Sequence, residues 1–205
     1  MTPVQRINGA LRRVPAWPIY PVFTLWVLWD FWRAASGAWI DPVARLEHEV
    51  GLLALQLLIA TLAVTPIRRM TGITLIRFRR ALGVMVFVLA LFHLTVWWVL
   101  DVQSTARVAT DILKRPYITF GMAAFVLLVP LAATSSNLAI RKMGPLAWRR
   151  LHRLAYPAAI LAGIHFVWLR KGWQPEPLIY LAVIAGLLLM RIDWPRVALR
   201  TRMQD

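Results

Sequence analysis

Four histidines, His48, His93, His152 and His165, are the residues of this chain best suited to chemistry, and there is no cysteine beside them. His93 lies in the apolar run RRALGVMVFVLALFHL, and His152 and His165 share WRRLHRLAYPAAILAGIHFVWLR. An imidazole facing hydrocarbon without a partner is costly, so an ionisable residue in a membrane segment is a functional candidate by default. Imidazole nitrogen is a common ligand for iron, and a b-type haem takes axial ligands on its two opposite faces. The lack of cysteine excludes thiolate-bound iron–sulfur clusters, disulfides and covalent haem attachment through a CxxCH motif. His152 and His165 stand thirteen residues apart, roughly 20 Å along a helix and most of a hydrocarbon core about 30 Å thick. A single helix with an imidazole near each membrane face suits the passage of electrons across a bilayer. On an ideal helix the two rings lie roughly 140° apart, an angle that a kink at the intervening Pro157 would change.

The elements that must position these rings follow from composition. The chain has 205 residues, 60% of them hydrophobic, with 11 Trp, a mean hydropathy of +0.61 and a net charge of +15. A soluble nucleic-acid binder would share the charge but not the long uncharged runs. The expectation is an all-α, polytopic membrane helix bundle forming one domain over residues 1–205. Six transmembrane helices are expected, at about 17–35, 48–66, 80–100, 116–134, 150–169 and 178–192. The N-terminal stretch MTPVQRINGALRRVP shows no cleavable signal, so insertion is expected to use the first hydrophobic helix. That helix carries Asp30, Arg33 and a stripe of Trp26, Trp29 and Trp32, read as a lipid or packing face. Trp97 and Trp98 end the third span as an interfacial anchor. With six spans, seventeen basic and two acidic residues fall on the side of the termini, and seven of each on the other. The positive-inside rule makes the basic side, with both termini, cytoplasmic.

This orientation gives each histidine a depth. His93 lies about seven residues inside the outer end of the third span, and His165 about four inside that of the fifth. Matched depth on two helices makes them the expected axial pair of a haem b, held between helices as bundle cofactors are. His152, at the inner mouth beside Arg149, Arg150 and Arg153, is either an interfacial residue or a ligand for a second cofactor. The position thirteen before His93 is Arg80, so a fourth imidazole for an inner bis-histidine haem is missing. Arg77, Arg79, Arg80, Arg149 and Arg150 offer guanidinium forks for haem propionates or for the phosphate of a flavin such as FMN. His48, in EHE at the start of the second span, is read as an interfacial or propionate-side contact. No acid–base dyad, nucleophile constellation or Gly-rich nucleotide loop is present, as befits a relay whose hard chemistry belongs to a cofactor.

Five segments in order, HEVGLLALQLLIATLAVTPIRR, RRALGVMVFVLALFHL, RPYITFGMAAFVLL, TSSNLAIRKMG and WRRLHRLAYPAAILAGIHFVW, give the chain a wider resemblance. It resembles the ferric-reductase-like transmembrane domain family, in particular the haem-binding membrane subunits of bacterial methionine sulfoxide reductase systems. The resemblance implies haem ligation, one or two haems, by His93, His152 and His165. It implies a bacterial inner-membrane, multi-pass, non-catalytic electron-transfer subunit among membrane lipids, with no nucleic-acid partner. The quinone pool or a flavin reductase would donate electrons. A periplasmic molybdopterin-dependent reductase subunit (MsrP-like), in a heterodimer, would receive them to repair oxidised methionine. Outer loops 36–47 and 170–176 would offer the docking surface. Two other classes remain open: a stand-alone ferric or cupric reductase, and a histidine-dependent proton or metal transporter. The transporter lacks an inverted repeat and paired broken helices.

Overall fold

The structure, a computed structural model, describes residues 1–170 and 173–191. Ile192, expected to close the sixth span, and the charges Lys171, Asp193, Arg196, Arg200, Arg202 and Asp205 lie outside the described residues. The described chain is helical and has no strand. Its α-helices are α1 (Pro3–Arg13), α2 (Ile19–Ala35), α3 (Pro42–Thr71), α4 (Ile76–Thr95), α5 (Thr105–Lys114) and α6 (Pro116–Ala133), followed by α7 (Asn137–Met143), α8 (Pro145–Leu151), α9 (Ala155–Leu169) and α10 (Pro175–Leu189). Three stretches are long and apolar enough to cross a membrane: α3, α4 with its continuation to Val102, and α6. The α10 helix is apolar but shorter.

Local signals account for the boundaries. Asp41 caps α3 by accepting from the Ala44 amide at 3.1 Å, and Pro42 occupies the first turn, where its missing N–H costs nothing. The helix stops at Gly72, whose φ of +75° places it in the left-handed region that only glycine adopts freely. After Thr95, α4 passes into a π-helical segment, Val96–Val102, that ends at left-handed Gln103. Pro116 opens α6 as a first-turn proline.

Two helix pairs build the bundle. The α3 helix runs against α4, and α6 against α9; α10 lies along α9 and touches α3, while α2 covers another side of α3. The core between them contains Leu46, Val50, Leu62, Val86, Leu89, Ala158, Ala159 and Ile184, all at most 2% exposed. On α2, Trp26 packs against this core, whereas Trp29 and Trp32 stack at 4.9 Å on the exposed side. The tryptophan stripe is thus a packing and surface feature.

Two results depart from the simple reading of the sequence. Polar segments expected to be loops contain helices. The α1 helix has a capping box between Thr2 and Gln5. It is tied to the α3–α4 turn by Asn8, which donates to the Gly72 carbonyl at 3.0 Å and accepts from the Thr74 amide at 2.9 Å. The expected fifth span is also not one continuous α-helix. A 3₁₀ turn, His152–Leu154, separates α8 from α9. Pro157 has no N–H to offer the Arg153 carbonyl four residues earlier, so a regular α-helical bond cannot form there. His152 and His165 therefore belong to different local helices.

Candidate functional site

His93 sits in the last turn of α4 and His165 in the second half of α9. The packing of the two helix pairs brings their rings to 6.3 Å between centroids, with planes inclined at 79°. Both rings line a cavity of about 1070 Å³ of atom-free space, its open mouth included. Its walls are mostly apolar, with Leu55, Leu58, Val86, Phe125, Leu128 and Phe166 among them, while Glu47 and His48 contribute polar groups.

Hydrogen bonds decide which ring nitrogen is free. His93 Nδ1 lies 2.9 Å from the Glu47 carbonyl oxygen, and His165 Nδ1 lies 2.7 Å from that of Tyr117. A carbonyl only accepts, so each Nδ1 carries the proton and donates. Each Nε2 is then left with its lone pair, the form in which imidazole binds a metal. His152 is set the other way. The Thr134 hydroxyl donates its single hydrogen to the Pro130 carbonyl at 2.6 Å, so its oxygen accepts from His152 Nε2 at 3.1 Å. The His152 ring also stacks on Trp148 at 3.8 Å, and the Trp148 indole donates to the Thr134 carbonyl at 2.9 Å. Its Nε2 carries a hydrogen and its ring is held by neighbours.

The separation of the first pair can be tested against a metal. With metal–imidazole bonds of about 2.0–2.1 Å, a metal held by both rings would set their centroids about 6 Å apart. The observed spacing matches. Among the described residues no group of three or more His, Cys, Asp or Glu could hold a bare ion. Two imidazoles facing an apolar cavity fit a metal whose remaining ligands come from a macrocycle, as in a haem.

The other expected site residues are spread out. His48 stands on the cavity wall, 6.0 Å from the Phe166 ring, and also borders a shallow depression with Arg45 and Arg170. Arg77 donates to the backbone carbonyls of Leu11 and Arg12 at the end of α1. Arg80 donates to the Asn137 side chain at 2.7 Å, and Arg149 to the Pro145 carbonyl of its own helix at 3.2 Å. Arg150 is exposed. Arg79 is half-buried near His152, Tyr156 and Arg191. Of these five arginines, Arg79 is the one whose charge is set beside His152 among the described residues. Sequence reasoning missed the carbonyls of Glu47 and Tyr117 and the hydroxyl of Thr134, because they act across helix contacts that no local pattern marks.

The profile of the family described as "Ferric reductase like transmembrane component" matches residues 24–163. The chain belongs to this ferric-reductase-like transmembrane family. It is 52% identical over 163 residues to a Brucella ovis protein, covering 79% of this chain and 73% of the relative. That relative is named the haem-binding subunit MsrQ of protein-methionine-sulfoxide reductase. A protein of the same name from Brucella melitensis is 51% identical over the same coverage. No solved structure matches the chain.

Proposed function

We propose that this chain is the haem-binding, electron-transfer subunit of a methionine sulfoxide reductase system, with one haem b held between His93 and His165. The observation that carries the proposal is the 6.3 Å spacing of two imidazoles whose Nδ1 hydrogens are both taken by backbone carbonyls. A haem at this position would accept and release one electron at a time. The chain's own residues do the rest. The two carbonyls fix ring tautomer and orientation, and the apolar walls would keep water from a haem bound there. His48 on the cavity wall, and Arg170 in the neighbouring depression that His48 also borders, would be the groups placed to meet the acid groups of such a haem. In support, Arg170 Nε is buried and has no hydrogen-bond partner among the described residues. The relatives' printed name supports haem and the methionine sulfoxide context.

In the proposed arrangement six spans cross a bacterial inner membrane with both termini cytoplasmic, and the site lies towards the periplasm. Electrons enter from the quinone pool or a flavin donor and leave to a periplasmic molybdopterin-dependent reductase (MsrP-like), where two of them, with two protons, convert a sulfoxide to methionine and water. His152, with Nε2 donating to Thr134, is read as a structural contact of the inner rim. FMN is kept as a donor-side group near Arg79.

Membranes containing the chain and such a reductase provide the test. Haem reduced under anaerobic conditions should reoxidise when methionine sulfoxide is added, and only when the reductase is present. Reoxidation by ferric citrate alone, with none by sulfoxide and reductase, would instead favour a stand-alone metal reductase.

A further inference from the structure

Beside the carbonyls of Glu47 and Tyr117, two glycines lie against the rings of His93 and His165. A β-carbon added at Gly51 would lie 2.9 Å from both Cε1 and Nδ1 of His93. One added at Gly121 would lie 2.8 Å from Nδ1 and 3.0 Å from Cε1 of His165. Real β-carbons essentially never come so close, and ordinary contact begins at 3.4 Å. Each glycine lies four residues after the carbonyl that holds the same ring: Glu47 then Gly51 on α3, Tyr117 then Gly121 on α6. Four residues is about one helical turn, so carbonyl and glycine share a face.

We propose that Gly51 and Gly121 are positioning residues that form, with the carbonyls of Glu47 and Tyr117, two matching notches in which the ligand imidazoles are seated. The carbonyl takes the Nδ1 hydrogen, and the missing side chain lets the ring edge lie against the neighbouring helix. The same device is built twice, once in each helix pair, although the surrounding sequences VGL and FGM have only the glycine in common.

The consequences follow from the distances. Alanine at 51 must push the His93 edge back by about 0.5 Å to reach ordinary contact, which stretches the 2.9 Å bond to Glu47 towards 3.4 Å. That is beyond the roughly 2.7–3.2 Å of a good N–H···O bond. With haem bound, the ring could not retreat freely, because its opposite nitrogen would be held by the metal. Alanine at 121 acts in the same way on His165. Helix glycine is otherwise a poor choice, since it costs conformational entropy relative to alanine. Gly83 of α4 provides the control: an added β-carbon there meets nothing within 4 Å.

The inference rests on the haem reading for its functional meaning, but its steric core is tested without haem. Gly51→Ala, Gly121→Ala and Gly83→Ala would be purified in detergent and titrated with haem. Disturbing a partner that orients a ligand typically weakens metal binding about 10–100-fold. Gly51→Ala and Gly121→Ala should weaken haem binding by that factor and change the low-spin signal, while Gly83→Ala stays within twofold of wild type. Thermal unfolding of the haem-free protein completes a double-mutant cycle with His93→Ala. Gly51→Ala should lower the midpoint when His93 is present and have no such effect when it is absent. An equal loss with and without the His93 ring would overturn the proposal, as would unchanged haem affinity in both glycine variants. If wild type binds no haem but the cycle shows coupling, the haem reading fails and the notch stands.

Discussion

Replacing His152 with alanine separates a structural histidine from a cofactor ligand. The ring makes one hydrogen bond, to Thr134 at 3.1 Å, and one stack, on Trp148 at 3.8 Å. A neutral intramolecular hydrogen bond contributes about 0.5–1.5 kcal/mol, and an aromatic pair about 0.5–1.5 kcal/mol beyond its buried area. Their sum is about 1–3 kcal/mol. Thr134 loses little, since its hydroxyl still donates to Pro130 and its carbonyl still receives the Trp148 indole. For a chain of this size each kcal/mol moves the thermal midpoint by about 2–4 °C, so His152→Ala should unfold roughly 2–12 °C earlier. The haem-to-chain ratio and the low-spin spectrum should stay as in wild type, and haem reduction by the donor should stay within about twofold. These quantities are read by thermal unfolding in detergent, absorption spectroscopy and stopped-flow reduction. Loss of a haem, or a strong slowing of electron entry without a change in thermal midpoint, would refute the reasoning and make His152 a cofactor ligand.

Three further outcomes are expected. Removing haem should lower the thermal midpoint. A ligand held at about 100 times its Kd stabilises the folded state by about 2.7 kcal/mol, so a midpoint independent of haem would mean that the cavity is not its site. A reporter fused after Asp205 should be active only as a cytoplasmic reporter, and a periplasmic C-terminus would show that the spans are miscounted. Asp30→Asn should leave the spectrum unchanged and cost less than about 1 kcal/mol. The Asp30 side chain is buried with only a 3.6 Å pairing to half-exposed Arg33, and its Oδ2 has no hydrogen-bond partner among the described residues. Loss of haem in that variant would tie Asp30 to the site.

The apolar cores of α3, α4 and α6 were legible because each carries an uninterrupted hydrophobic run. His93 and His165 could be paired because equal depth on two helices is a property of sequence once spans and orientation are assumed. The rest depended on contact between elements. The amphipathic helices α1 and α5 and the short α7 and α8 lack a membrane-length run, so hydropathy passed over them. The reading of His152 turned on the Pro130–Thr134–His152 chain of hydrogen bonds, which crosses from α6 to the turn before α9. The inner arginines looked alike in sequence, yet Arg77 is held by α1, Arg80 by Asn137 and Arg149 by its own helix. Gly51 and Gly121 gave no signal at all, because a glycine's role as empty space shows only when its neighbour is known.

Ligation of the proposed haem by His93 and His165 is tested most directly by the low-temperature electron paramagnetic resonance spectrum of the oxidised protein, with haem content, for wild type, His93→Ala and His165→Ala. Wild type should contain one haem per chain with a low-spin, bis-imidazole ferric signal, and each variant should lose the haem or turn it high-spin. A wild-type low-spin signal that persists unchanged, at full haem content, in both variants would contradict the assignment.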